Sequence, residues 1–399
     1  MKRYVLLAPA VLFLFILPFT HTVALRLTCL ALAFGVALYS WYRDNPPALP
    51  LKLPLLLTAL VALSSLLWSI DPDYSWGEVK NEMGYTLIAF FTFFVLTNSR
   101  RNLHLFLGAL VLSATVMTLI ALVSYWQAGQ WDEPGYPGGI HDFSTYVVFI
   151  LPALLFVVAR LQQRIAKTAL LLLLIALVFA GYLTLQRIMW FALAAECFVL
   201  ALLLLYPLPI SRLKKCIVMT GVGLVALALA PIGIVAKNGV GYSSAKAIWQ
   251  VMVADVRPQH IWQNSLAAVR EAPLWGSGYG RRIFYKTHPE LAEGDGWHAH
   301  NILLSRLVQL GIVGLALLLY LFLSIGEHLL YIYRAAHSRE GIWIGACGIT
   351  LLVGALAANM ANDSFVRHSA LLFWSLIGMW LGYGYRLTNR SLRVDAAQR

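Results

Sequence analysis

Residues 296–323 read GWHAHNILLSRLVQLGIVGLALLLYLFL, and the change of character inside this stretch decides the fold. A long polar segment, roughly 238–299, runs into an almost unbroken apolar helix at Ile302. About 20 apolar residues suffice to cross a bilayer core. The sequence therefore places His300 and Asn301 at the mouth of a membrane helix, beneath the one sizeable segment outside the membrane.

Working outward, the rest of the chain has the same composition. Of 399 residues, 60% are hydrophobic and 12% are charged. Mean hydropathy is +0.73. A soluble domain carries roughly twice that charged fraction. The reading is an all-α polytopic membrane protein with about twelve spans, near 4–20, 22–42, 52–70, 83–99, 103–126, 143–160, 168–185, 188–206, 216–236, 300–324, 341–361 and 368–386. The apolar stretch 168–206 is too long for one span and reads as two, joined by a turn near Tyr182–Arg187.

Lysine and arginine in short loops set orientation. One alternating set of segments carries Lys2, Arg3, Arg43, Lys52, Arg100, Arg101, Arg160, Arg164, Lys167, Lys214, Lys215, Arg334, Arg339 and Arg386. The opposite short loops hold little beyond Lys80, Arg187 and Arg367. Both termini are thus expected in the cytoplasm, with 69–82, 127–142 and 238–299 outside. Four parts follow: spans one to nine over 1–237, an outer loop over 238–299, spans ten to twelve over 300–386, and a basic tail over 387–399. The first span follows Met1-Lys2-Arg3 without a small-residue cleavage site and is expected to stay as an anchor. The net charge of +12 is mostly this topological signal and gives no reason to invoke nucleic acid.

The outer loop reads as structured. Four tryptophans fall in it, and 244–254 and 258–271 have helical spacing. Pro258 suits a first turn. Pro273 ends the helix, and Gly276-Ser277-Gly278-Tyr279-Gly280 makes a turn. None of the four cysteines falls in an outer loop, so no disulfide is expected.

On a continuous helix, Gly311 lies close to three whole turns from His300, and Gly314 near the same face. His298, two residues from His300, would point the other way. The cationic candidates are Arg187 at the turn between two spans, Arg257, Arg281 and Arg282; guanidinium forks match diphosphate oxygens. Glu196, about nine residues into its span, is expected to pair with an internal cation. Asp71-Pro72-Asp73 is the pattern nearest to a metal pair. It reads better as a turn and helix start, with Asp73 capping, so no metal is expected. The glycine turn lacks a following Lys-Ser/Thr, which excludes a nucleotide loop.

Together these features resemble the O-antigen ligase/polymerase superfamily, and within it the O-antigen ligases. The carriers of the resemblance are the span number, the long outer loop before a late span, and His300-Asn301 followed by Gly311 and Gly314. Trp68-Ser69-Ile70-Asp71-Pro72, Leu185-Gln186-Arg187, Arg257 and Pro273-Leu274-Trp275-Gly276-Ser277-Gly278 support it. The resemblance implies a glycosyltransferase of the bacterial inner membrane, working on its periplasmic face. The donor is a polysaccharide on undecaprenyl diphosphate and the acceptor a sugar hydroxyl of lipid A–core. It implies no nucleotide, metal or other cofactor. His300 takes the place of the general base, and inversion at the anomeric carbon is expected. Arg187, Arg257 and Arg281 or Arg282 fall to the diphosphate. His298, Asn301, Gly311 and Gly314 support them. The rival readings are an O-antigen polymerase, a protein O-oligosaccharyltransferase and, more remotely, a polysaccharide lipid flippase.

Overall fold

The computed structural model describes residues 2–44, 46–129, 139–184, 186–209, 211, 213–215, 217–221, 256–289, 298–361, 363, 365 and 367–398. These are helical, with no strand among them. In chain order the helices are α1 (Lys2–Ile16), α2 (Val23–Asp44), α3 (Lys52–Ser64), α4 (Pro72–Glu78), α5 (Tyr85–Leu96), α6 (Arg100–Ala128), α7 (Gly139–Arg160), α8 (Arg164–Leu183), α9 (Arg187–Leu205), α10 (Val256–Glu271), α11 (Ile283–Thr287), α12 (Ile302–Arg334), α13 (Arg339–Ala358) and α14 (Arg367–Gln398).

Among the described residues, seven helices are long and apolar enough to cross a membrane: the bulk of α2, α6, α7, α8, α9, α12 and α13. They match seven of the twelve expected spans. Two others, 4–20 and 52–70, correspond to the shorter apolar helices Val5–Ile16 and Lys52–Leu67. The span expected at 83–99 is the twelve-residue α5, entered through a π-helical stretch, Val79–Gly84. That at 368–386 lies within α14. Most of 216–236 and the helix expected at 244–254 lie outside the described residues.

The turn between spans falls where expected, with α8 ending at Leu183 and α9 opening at Arg187. The loop helix is α10, with Pro258 in its first turn. Aromatic side chains fill the interior: Phe13 packs on Phe93, which meets Phe106 edge-on, and Phe156 packs on Trp380. Helix α14 lies along α5, and α13 lies along α9 and α12.

Glu196 departs from expectation. It is 1% exposed. Neither of its carboxyl oxygens has a hydrogen-bond partner among the described residues. It lies against Gly354 of α13, where a Cβ would overlap the carboxylate. Among the described residues, the expected cation is not paired with it, and α13 packs against it through Gly354.

Candidate active site

The local order around His300 starts with a helix cap. Asn301 stands in extended conformation before α12, and its Oδ1 accepts from Leu303 N (2.9 Å) and Leu304 N (3.2 Å). Such a cap satisfies otherwise orphaned first-turn amides and is worth about 1 kcal/mol. Asn301 also donates Nδ2 to Met360 O at 2.9 Å, and Ile302 N donates to Asn359 O at 3.0 Å. The corner is therefore pinned to the end of α13.

His300 precedes the cap with φ of 48°. Left-handed backbone is uncommon outside glycine and persists where the surroundings over-determine it, often at functional positions. Here the pinned Asn301 supplies that constraint. His298 is 2% exposed and His300 half-buried. Their ring centroids are 3.7 Å apart. This corrects the expectation of opposed side chains, which assumed a helix through both. The helix starts only at Ile302, so the two imidazoles share one place.

The glycine argument is corrected too. Gly311 has φ 62° and ψ −160°, a break inside α12. Three uniform turns from His300 to Gly311 therefore do not exist. The break receives the loop after α10. Ile312 N donates to Pro273 O at 2.9 Å, Ser277 N to Val308 O at 2.9 Å and Gly278 N to Gln309 O at 3.0 Å. Backbone meets backbone. A Cβ on Gly311 would collide with the Leu274 carbonyl, and one on Gly276 (φ 67°) with Gln309 and Leu310 main chain. Only glycine allows both the dihedral and the approach. Gly314 lies one turn further on, over the Leu310 side chain.

The same loop closes on the segment between α3 and α4. Trp68 Nε1 donates to Trp275 O at 3.0 Å, with the two rings 5.5 Å apart. Ile70 N donates to Ser277 O at 3.0 Å. Arg282 N donates to the Tyr74 hydroxyl at 2.9 Å, and Lys286 pairs with Asp71. Asp71, rather than Asp73, caps α4, accepting from Tyr74 N at 2.9 Å. Proline at the next position leaves Asp71 as the residue before the helix. Its carboxyl is held below the usual range by Lys286 and by that amide.

Arg281 and Arg282 separate here. Arg281 is half-buried and donates Nη1 to Asp363 O at 3.0 Å, whereas Arg282 is exposed. Asp363 Oδ2 accepts from Ser305 Oγ at 2.5 Å. Asn359, Met360 and Asp363 thus hold both the His300 corner and Arg281. The side chains of Arg187 and Arg257 lie outside the described residues.

Beneath the loop is a polar layer that sequence reasoning left unassembled. Gln309 donates Nε2 to Ser305 Oγ at 3.2 Å, and its Oε1 accepts from Gly280 N at 3.3 Å. The Arg306 guanidinium lies 5.2 Å from the centre of the Tyr279 ring. Arg306, Tyr279 and Glu82 line a cavity with Thr58 and Thr86, and the rest of its wall is largely apolar, including Leu318, Phe322 and Trp374. Burial, then Glu78, pushes the Glu82 carboxyl well above the usual range. Burial pushes the Tyr279 hydroxyl up to about 12. Ser305 and Gln309 are four apart, with Arg306 between them, in the otherwise apolar opening turns of α12; that spacing was the available signal.

Residues 172–319 match a family model described as O-antigen ligase. No curated protein matches the chain. The matched stretch contains every proposed site position from Arg187 to Gly314.

Proposed function

We propose that this chain, whose residues 172–319 match a family model described as O-antigen ligase, belongs to the O-antigen ligase/polymerase superfamily and is an O-antigen ligase of the bacterial inner membrane. It moves a polysaccharide from undecaprenyl diphosphate to a sugar hydroxyl of lipid A–core on the periplasmic face. The observation that carries this reading is the shared anchorage of the His300 corner and Arg281 on Asn359, Met360 and Asp363. One anchor gives a base and a guanidinium a fixed relation, which transfer between two lipid-borne substrates requires.

The chemistry needs few parts. A sugar hydroxyl is a weak nucleophile, and the His300 imidazole takes its proton as the oxygen attacks the anomeric carbon. The bond from that carbon to the diphosphate oxygen breaks, and its electron pair leaves with the lipid diphosphate. Arg281, with Arg187 and Arg257, receives the developing charge. Arg282 is a secondary candidate because it faces outward. Attack opposite the leaving group inverts the anomeric centre. The diphosphate bond supplies the driving force, so neither ATP nor a metal is required. His298 orients His300 through the ring contact, Asn301 fixes the corner, Gly311 admits the loop, and Gly314 makes room for the Leu310 side chain.

A deletion strain tests ligase against polymerase. The ligase reading predicts lipid-linked polymer accumulating beside bare core. Core capped by a single repeat would mean a polymerase instead.

A further inference from the structure

A second cavity, of about 800 Å³, opens between α1, α2, α5, α6 and α14. Helix α5 separates it from the His300 site: Glu82 precedes the helix at the site, and Leu96 ends it at this cavity. Three guanidinium groups line the cavity from three different helices, Arg43 from α2, Arg101 from α6 and Arg386 from α14, and among the described lining residues the carboxylate is that of Asp44. The wall on the bundle side is apolar, with Leu7, Val36 and Val95.

Arg386 is preorganised. Its Nη1 donates to Phe94 O (2.9 Å) and Gly382 O (2.7 Å), and its Nη2 to Val95 O (3.3 Å). The guanidinium also sits 5.6 Å from the Phe94 ring centre. It satisfies the last carbonyls of α5 and stays at the cavity edge. Two neighbouring arginines belong to a separate cluster. Arg100 and Arg160 converge on the Glu340 carboxylate at 3.5 and 3.3 Å, and Tyr383 donates to it at 2.9 Å. There the chain supplies the anion.

We propose that this cavity binds the phosphate of an anionic phospholipid, with the headgroup among Arg43, Arg101 and Arg386 and the upper acyl chain along Leu7, Val36 and Val95. Charge complementarity favours a phosphate, and forked guanidinium donors suit its oxygens. The apolar wall favours a lipid over a free ion. The positive-inside bias puts this end at the cytoplasmic leaflet, where anionic lipids attract basic residues. The site is independent of the transfer reaction, so its test requires neither donor nor acceptor.

The full chain, purified in detergent, is titrated with phosphatidylglycerol, phosphatidylcholine or inorganic phosphate and read by native mass spectrometry and melting temperature. Phosphatidylglycerol should stay bound and raise the melting temperature, at least tenfold more tightly than phosphatidylcholine. The double variant R43Q/R101Q spares the structural Arg386 contacts and should lose that preference. R100Q, on the Glu340 cluster, should keep it. Equal binding of the two lipids, or unchanged phosphatidylglycerol binding by R43Q/R101Q, would overturn the proposal. So would competition by inorganic phosphate at the lipid's own concentration, which would mean a free-ion site.

Discussion

Arg281 and Arg282 are adjacent in sequence and differ in surroundings. Arg281 turns inward to the Asp363 carbonyl, and Arg282 faces out. Arg281→Ala is therefore expected to slow transfer at least tenfold, and Arg282→Ala to cost less than threefold, in an assay with purified lipid-linked donor. Arg281→Lys should recover only part, because an ammonium cannot reproduce a planar fork. Equal losses at the two positions would remove the distinction. At Asp71 the prediction concerns pH. Its folded-state carboxyl lies below the unfolded value, by virtue of Lys286 and the Tyr74 amide. The contribution to stability is therefore present above the unfolded value and lost as pH falls through the lower folded one. Melting of wild type and Asp71→Asn should differ near neutrality and converge in acid. Of the residues singled out in the sequence, Asn301 and Arg281 are held by the same short segment, through Met360 and Asp363. The pairing of His298 with His300 was not legible in the sequence, because a two-residue spacing gives opposed side chains only on a helix, and α12 begins after both.

At the scale of elements, the decisive feature is the break in α12. Sequence periodicity runs smoothly through Gly311 and predicts an uninterrupted helix. A glycine in an apolar run reads equally well as a packing contact or as a break, and only the loop docking on it separates the two. Pro273 was read as a helix end and 276–280 as a turn, but the three hydrogen bonds of Pro273, Ser277 and Gly278 with residues 308–312 join segments some thirty residues apart, beyond any local signal. Gly311→Ala should release this docking, since alanine at that dihedral is strained by about 1–3 kcal/mol and its Cβ meets the Leu274 carbonyl. Amide exchange over 273–280 should accelerate at least tenfold, and transfer should fall with it while the protein still inserts. Unchanged exchange would show that the loop is held by its Trp68, Ile70 and Tyr74 contacts alone.

For the whole molecule, composition and charge patterning revealed the class. Seven apolar helices stand where spans were expected. Shorter helices and the π-helical entry to α5 were not legible, because hydropathy measures apolarity and not backbone continuity. Polar groups gather at two ends of the bundle, one holding His300, Arg281 and Asp71, the other Arg43, Arg101, Arg386 and Glu340. Reporter fusions after Asn98 or Arg164 should read cytoplasmic, and fusions within 276–296 outside; a cytoplasmic signal from the latter would reverse the orientation. The central claim is that the end holding His300 performs the transfer with that imidazole as base. Purified wild type, His300→Ala and His298→Ala are compared for transfer from lipid-linked polysaccharide to rough lipopolysaccharide, in chelator and without ATP. The account predicts a loss of about 10²–10⁴-fold for His300→Ala with donor binding retained, and a smaller loss for His298→Ala. Transfer by His300→Ala within a fewfold of wild type, or a dead His298→Ala beside an active His300→Ala, would contradict it.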